Sequence, residues 1–201
     1  MDKIDFKNIK DEVAEVIKRE IIAGRITNEH PITQSYLAKQ FGLSRMPIRE
    51  AFNTLIQEGL LIKQNNRKLK VITINEHTIS RYNEILSSTE FLLLTNPLLS
   101  KAKYQFVLTQ SAGKDNDKET LIAVIHSIAH LASDHYIKNL FLNMLNVFWT
   151  HSLLYCHPDC RTALKKVEVA LTELCQKDVD LTKVKSNLLS ANQIILSGIL
   201  L

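Results

Sequence analysis

Two helical patterns separated by no more than three residues, followed at once by two β-prone runs, restrict this chain more than any other feature of its sequence. Thr33 stands as an N-cap before Leu37, Ala38 and Phe41, and Gly42 closes that short segment. Ser44 then caps a longer segment whose apolar positions Ile48, Ala51, Phe52, Leu55 and Ile56 share one face, and Gly59 ends it. A short helix, a tight glycine turn and a longer amphipathic helix form the helix-turn-helix pattern, in which the last helix enters the major groove of DNA. Upstream, Ile9, Val13, Val16/Ile17 and Ile21 recur at helical spacing up to Gly24, which predicts a first helix of about four turns.

After Gly59 the period changes. Leu60-Leu61-Ile62 and Leu69 to Ile74 are β-prone runs around Gln64-Asn65-Asn66-Arg67, and Asn tolerates the positive φ of tight hairpin turns. A hairpin behind a recognition helix is a wing. Charge follows the same division: residues 1–75 hold 13 Lys/Arg against 9 Asp/Glu, while residues 76–201 hold 12 of each. Between Thr33 and Asn75 seven basic residues (Lys39, Arg45, Arg49, Lys63, Arg67, Lys68, Lys70) face only Glu50 and Glu58. Positive charge therefore gathers at the start of the recognition helix and on the wing, the footprint of a nucleic-acid-binding module.

Arg45 and Arg49 lie four apart and share a face away from the apolar stripe. Arg can donate two hydrogen bonds to guanine O6 and N7, a contact worth about 1–3 kcal/mol of discrimination. Ser44 and the first amides of the helix could hold a phosphate. On an isolated helix two such arginines would be a solvated face, with Arg49 paired to Glu50. Their place in a helix-turn-helix beside a basic wing favours DNA.

These residues carry a resemblance. Ile21-Ile22-Ala23-Gly24, Leu37-Ala38, the run from Gly42 through Ser44-Arg45-Met46-Pro47-Ile48-Arg49-Glu50-Ala51 to Phe52, then Leu55 and Glu58-Gly59-Leu60-Leu61, resemble the winged-helix domain of the GntR family of bacterial transcription regulators over about residues 8–74. The resemblance implies that Arg45 and Arg49 contact bases and backbone at an operator half-site, with Ser44, Met46 and Pro47 at the groove edge. It implies too that the wing tip, Asn65 and Asn66 with Arg67, reaches the adjoining minor groove. Thr33 and Lys68 complete the candidate DNA-binding set. The chain departs from the family at Glu29-His30-Pro31, where Pro-Gly is usual, at Ser35, where some members are basic, and in a wing without Gly.

Beyond Asn75 no strand signal recurs. Helices are expected at 76–95, 98–112, 118–133, 135–156, 160–176 and 181–200, an all-α bundle. No charge occurs between Lys138 and Asp159, but Asn139, Asn143, Asn146, His151 and His157 disfavour a membrane span there. The apolar end, Ile194 to Leu201, is expected to pack into the bundle or a dimer seam. The N-terminal Met1-Asp2-Lys3-Ile4-Asp5 lacks the basic start and apolar run of a secretory signal, which predicts a cytoplasmic chain with Cys156, Cys160 and Cys175 reduced.

Length and helical content are similar to the FadR-type class of the family, whose helical domain binds an effector and makes the dimer. Val124-Ile125-His126-Ser127-Ile128-Ala129 carries that weaker likeness. Many members hold a divalent metal through an Asp and three His. Here the other three positions are Ile122, Val167 and Leu189, so a metal is disfavoured. His126 and His130, four apart, are the alternative pair, with Asp134, His135 or His151 as third ligand. Cys156-His157-Pro158-Asp159-Cys160 reads as an interhelical loop, and no oxyanion site or orienting residue accompanies a Cys–His pair, so no enzyme is expected. If this domain binds an effector, its pocket is expected among Leu, Ile, Phe and Trp149, suiting an apolar or amphipathic molecule; the alternative is a vestigial pocket in a domain that serves dimerisation.

The expectation is a mainly α protein: a winged helix-turn-helix DNA-binding domain over 1–75 and an all-α effector-binding and dimerisation domain over 76–201. It would act as a transcription regulator, a repressor, on a pseudo-palindromic double-stranded operator as a homodimer, with a small-molecule effector and no cofactor. A winged-helix module binding an acidic protein, or a metal-dependent helical enzyme using His126 and His130, are the readings from other classes.

Overall fold

Residues 6–29, 32–65, 68–111 and 116–200 are described by the structure, a computed structural model. The chain divides into two compact units, one ending at Asn75 and the other beginning at Glu76.

In the first unit, α1 (Phe6–Ile22), α2 (Gln34–Phe41) and α3 (Arg45–Gln57) precede a hairpin of β1 (Leu61–Lys63) and β2 (Leu69–Val71). The hairpin is antiparallel, pairing Leu61 with Val71 and Lys63 with Leu69. The core is the apolar stripe of each helix: Val13, Ile17 and Ile21 of α1 meet Ile48, Ala51, Phe52 and Leu55 of α3, joined by Leu60, Leu61 and Val71. Local chemistry sets the boundaries. The Thr33 hydroxyl accepts from the Tyr36 amide at 3.2 Å, and α2 stops at Gly42, whose φ of 65° lets the Leu43 amide return to the Ala38 carbonyl. Gly59, at φ 77°, ends α3 in the same way and turns the chain into β1.

Two contacts in this unit have no signature in the hydrophobic pattern. The Asn28 side chain acts as a short extra strand: its Nδ2 donates to the Val71 carbonyl at 2.9 Å and its Oδ1 accepts from the Val71 amide at 2.8 Å. Lys18 is buried, and its ammonium donates to Glu15 at 2.8 Å and to Glu58, at the end of α3, at 2.9 Å. Burial opposes the charge, but these two bonds more than offset it and hold the Lys18 pKa above its ordinary value. Lys18→Ala would strand the Glu58 carboxylate, whose Oε2 is already buried without a hydrogen bond. It is expected to lower the stability of this unit by about 2 kcal/mol, read by thermal melting. Equal melting of mutant and wild type would show the pair to be idle.

The second unit is all helical: α4 (Glu76–Leu94), α5 (Lys101–Thr109), α6 (Asp117–Ala129), α7 (His135–Val147), α8 (Trp149–Tyr155), α9 (Cys160–Leu174), α10 (Leu181–Leu196) and a 3-10 turn (Ser197–Leu200). Four of the helices open on side-chain caps, with Asn116, Asp134, Asp159 and Asp180 each accepting from amides of the first turn. α10 packs on α9, α4 and α8 around a core that includes Leu86, Val124, Phe141, Val167, Leu171 and Leu188. Ile195, Leu196 and Ile199 are buried within this unit, while Leu201 lies outside the described residues.

The helix expected over 135–156 is two helices, broken at Phe148. The cause lies on α4. The Tyr82 hydroxyl donates to the Met144 carbonyl, which an unbroken helix would offer to the Phe148 amide. The Tyr82 and Phe148 rings meet edge to face with centroids 5.0 Å apart. A side chain inserted into the helical ladder produces such a break. α5 is also shorter than expected, starting at Lys101 behind Ser100. The Gly113–Asp115 stretch expected to end it lies outside the described residues.

Candidate nucleic-acid interface

α3 is held by one face and offers the other. Ile48, Ala51 and Leu55 are wholly buried, which leaves Arg45, Met46 and Arg49 exposed and Pro47 half-buried. Neither arginine makes an ion pair among the described residues, so the expected alternative of an Arg49–Glu50 pair is not what the structure has. Ser44 sits at the N-cap position, but its hydroxyl makes no capping bond. Ser44 itself is exposed. Thr33, exposed at the head of α2, spends its oxygen on the Tyr36 amide. Asn65 and Lys68 are exposed on the hairpin, and Asn66 and Arg67 lie outside the described residues.

Between α2, α3 and the hairpin runs a groove of about 730 Å³. Arg49 lines it together with Gln34, Asn53, Lys63 and Lys68. Asn53, Gln34 and Lys63 are additions to the expected set. Asn53 continues the Arg45–Arg49 stripe by one more turn and could have been read from that spacing. Lys63 was visible only as part of the basic count, because its place opposite α3 depends on how the hairpin packs.

In the second unit His126, on α6, and His130, just past its end, are exposed, and His130 Nδ1 lies 2.7 Å from the His126 carbonyl, to which the ring N–H donates. Among the described residues no three His, Cys, Asp or Glu side chains gather closely enough to hold a metal ion. Val167 is buried and Ile122 half-buried. Burial pushes the Cys156 and Cys160 thiols up, away from the reactive thiolate, and no disulfide joins them. Among the described residues no helix is long and apolar enough to cross a membrane.

The interior of this unit is not uniformly apolar. Trp149, expected as an apolar wall, donates its indole N–H to Asn192 Oδ1 at 3.1 Å. Asn192 Nδ2 donates to Glu90 at 2.9 Å and to Ser87 at 3.1 Å, and Ser87 donates to Asn83 at 3.0 Å. Glu90 is 1% exposed and its other oxygen has no hydrogen-bond partner. Burial, only partly offset by the Asn192 bond, pushes its carboxyl up to about 7. These residues, spread over α4, α8 and α10, carry no motif.

Residues 9–71 match the family model described as bacterial regulatory proteins, gntR family. No curated protein matches the chain. Among solved structures the chain is similar to McbR/YncC of E. coli, at 20% identity and a TM-score of 0.50 over 92% of this chain and 93% of that one. It is also similar to a Listeria monocytogenes protein, Lar, described as controlling the expression of the agr system and mediating virulence. There the identity is 15% and the TM-score 0.57, over 94% of this chain and 95% of that one. At these identities the likeness concerns the fold, and it extends through both units. Residues 9–71, nearly all of the first unit's described length, are thus similar to a GntR-family domain, and the chain shares its fold with those two structures.

Proposed function

We propose that this chain is a DNA-binding transcription regulator, a repressor, which recognises a pseudo-palindromic operator as a homodimer and responds to a small molecule held by the second unit. The observation that carries the reading is that Arg45 and Arg49, which make no ion pair among the described residues, lie exposed on the outer face of a helix anchored by its inner one, beside a basic hairpin. Arginines so placed can enter a major groove and donate to guanine edges, while Ser44 and the α3 amides take a phosphate. Two copies related by a two-fold axis require half-sites of matching symmetry, about 34–36 Å apart. An effector would act by changing the relative placement of the two recognition helices, lowering operator affinity without touching a DNA contact.

Gel shifts with genomic fragments over a salt series, followed by sequencing of the bound pool, test this reading. The expected result is an enriched inverted repeat whose affinity falls steeply with salt. Failure to shift any fragment at low salt, or recovery of an acidic protein partner instead, would refute it. Lys68→Ala is expected to weaken binding to operator and random duplex alike and to reduce the slope of log affinity against log salt by about one. An unchanged slope would remove Lys68 from the interface.

A further inference from the structure

We infer that residues 135–156 are a two-state element, one helix held in two pieces by α4, and that joining the pieces undocks α8 from α10. The inference concerns the second unit alone and stands whether or not the chain binds DNA. It names the part of that unit built to change.

Nothing in the segment itself calls for a break. Between His135 and Cys156 no Gly or Pro interrupts a run rich in Leu, so the backbone preference is for one continuous helix. Yet α7 ends at Val147 and α8 begins at Trp149, with Phe148 between them at φ −104°, against about −63° in a regular helix. The cause stands on α4, where the Tyr82 hydroxyl takes the Met144 carbonyl and the Tyr82 ring meets that of Phe148 edge to face. Thr89, also on α4, places its hydroxyl 4.0 Å from the Met144 sulfur. α7 is thus moored to α4.

α8 is moored elsewhere. Its Trp149 indole N–H donates to Asn192 at 3.1 Å and its Ser152 hydroxyl donates to the Ile195 carbonyl, both partners lying on α10. Returning Phe148 to helical φ turns everything beyond it as a body, so Trp149 and Ser152 leave those partners. The broken form has the phenol on Met144 and two side-chain bonds to α10, while the joined form gains the Phe148 backbone bond and returns the freed groups to water. A balance of so few bonds is within reach of a ligand or a displaced helix. α4 follows directly on Asn75, where the first unit ends, so a displacement of α4 reaches the joint without an intermediary.

The test uses the full chain. Tyr82→Phe removes the hydroxyl and keeps the ring. It is expected to slow hydrogen exchange at the Phe148 amide by about 10-fold. The Phe148 Cα chemical shift should move to the helical side, and Trp149 emission should shift to longer wavelength and be quenched more readily by acrylamide. A hydroxyl that only stabilises the core would instead speed exchange throughout the unit on removal. If Tyr82→Phe does not fold, Ser152→Ala carries the test, because it weakens the mooring of α8 with Tyr82 in place and should move the same signals the same way. Phe148 exchange within about twofold of wild type, or faster, would overturn the two-state element. Slowed exchange with Trp149 emission unchanged would overturn the coupling to α10.

Discussion

Arg49→Ala is expected to lower affinity for the selected operator by about 100-fold or more, while affinity for a scrambled duplex falls by only a few-fold. A bidentate arginine–guanine contact is worth about 1–3 kcal/mol of discrimination, and a two-fold symmetric complex makes it twice. The fold should be untouched. Arg49 is exposed and makes no ion pair among the described residues, whereas its neighbour Ile48 is wholly buried. Substitutions at such surface positions ordinarily change stability by less than about 0.5 kcal/mol. Arg49→Lys separates charge from geometry: it keeps the attraction to the polyanion but lacks the planar fork. It should therefore bind both duplexes with similar, weak affinity. Titrating both duplexes by gel shift at one salt concentration decides the matter. If the Arg49→Ala protein preserves the wild-type ratio of operator to scrambled affinity, Arg49 does not read bases.

What could be read from the sequence, and what could not, follows the range of the interactions involved. Thr33, Gly42, Ser44 and Gly59 act on their own helix ends, so their residue types announce the helix-turn-helix without knowledge of the rest of the chain. Arg45 and Arg49 are legible for the same reason, since helical periodicity alone separates them from Ile48, Ala51 and Leu55. The break at Phe148 is not legible, because the phenol that causes it belongs to Tyr82, sixty-two positions before Met144, to which it donates. Residues 135–156 satisfy every local rule for one helix. The Asn53–Lys63 juxtaposition depends likewise on the packing of the hairpin. Glu90 shows the limit most sharply, because a lone Glu among Leu and Phe residues near a helix end looks like a solvated side chain. Its burial is decided by Asn192, more than a hundred positions away.

That buried acid yields the second large effect. Glu90→Gln is expected to raise the stability of the second unit at pH 8 by up to about 3 kcal/mol while changing it little at pH 4.5. Burial raises the carboxyl from 4.5 to about 7, and the neutral Asn192 amide offsets that only in part. The folded unit therefore holds the proton more tightly than the unfolded chain does. The resulting stabilisation is fully present below pH 4.5, declines as pH rises towards 7, and is gone above it. A glutamine at this position stays neutral at every pH and can still accept from Asn192 through its carbonyl oxygen, so the variant should lack that decline. Trp149, the chain's one tryptophan, lies buried in the same hydrogen-bonded cluster, and its fluorescence reports unfolding of this unit separately from the first. Melting followed by that signal at pH values from 4.5 to 8 should give converging curves at the acid end and a gap of roughly 10 °C at the alkaline end. Parallel curves would mean that Glu90 is solvated or compensated in solution.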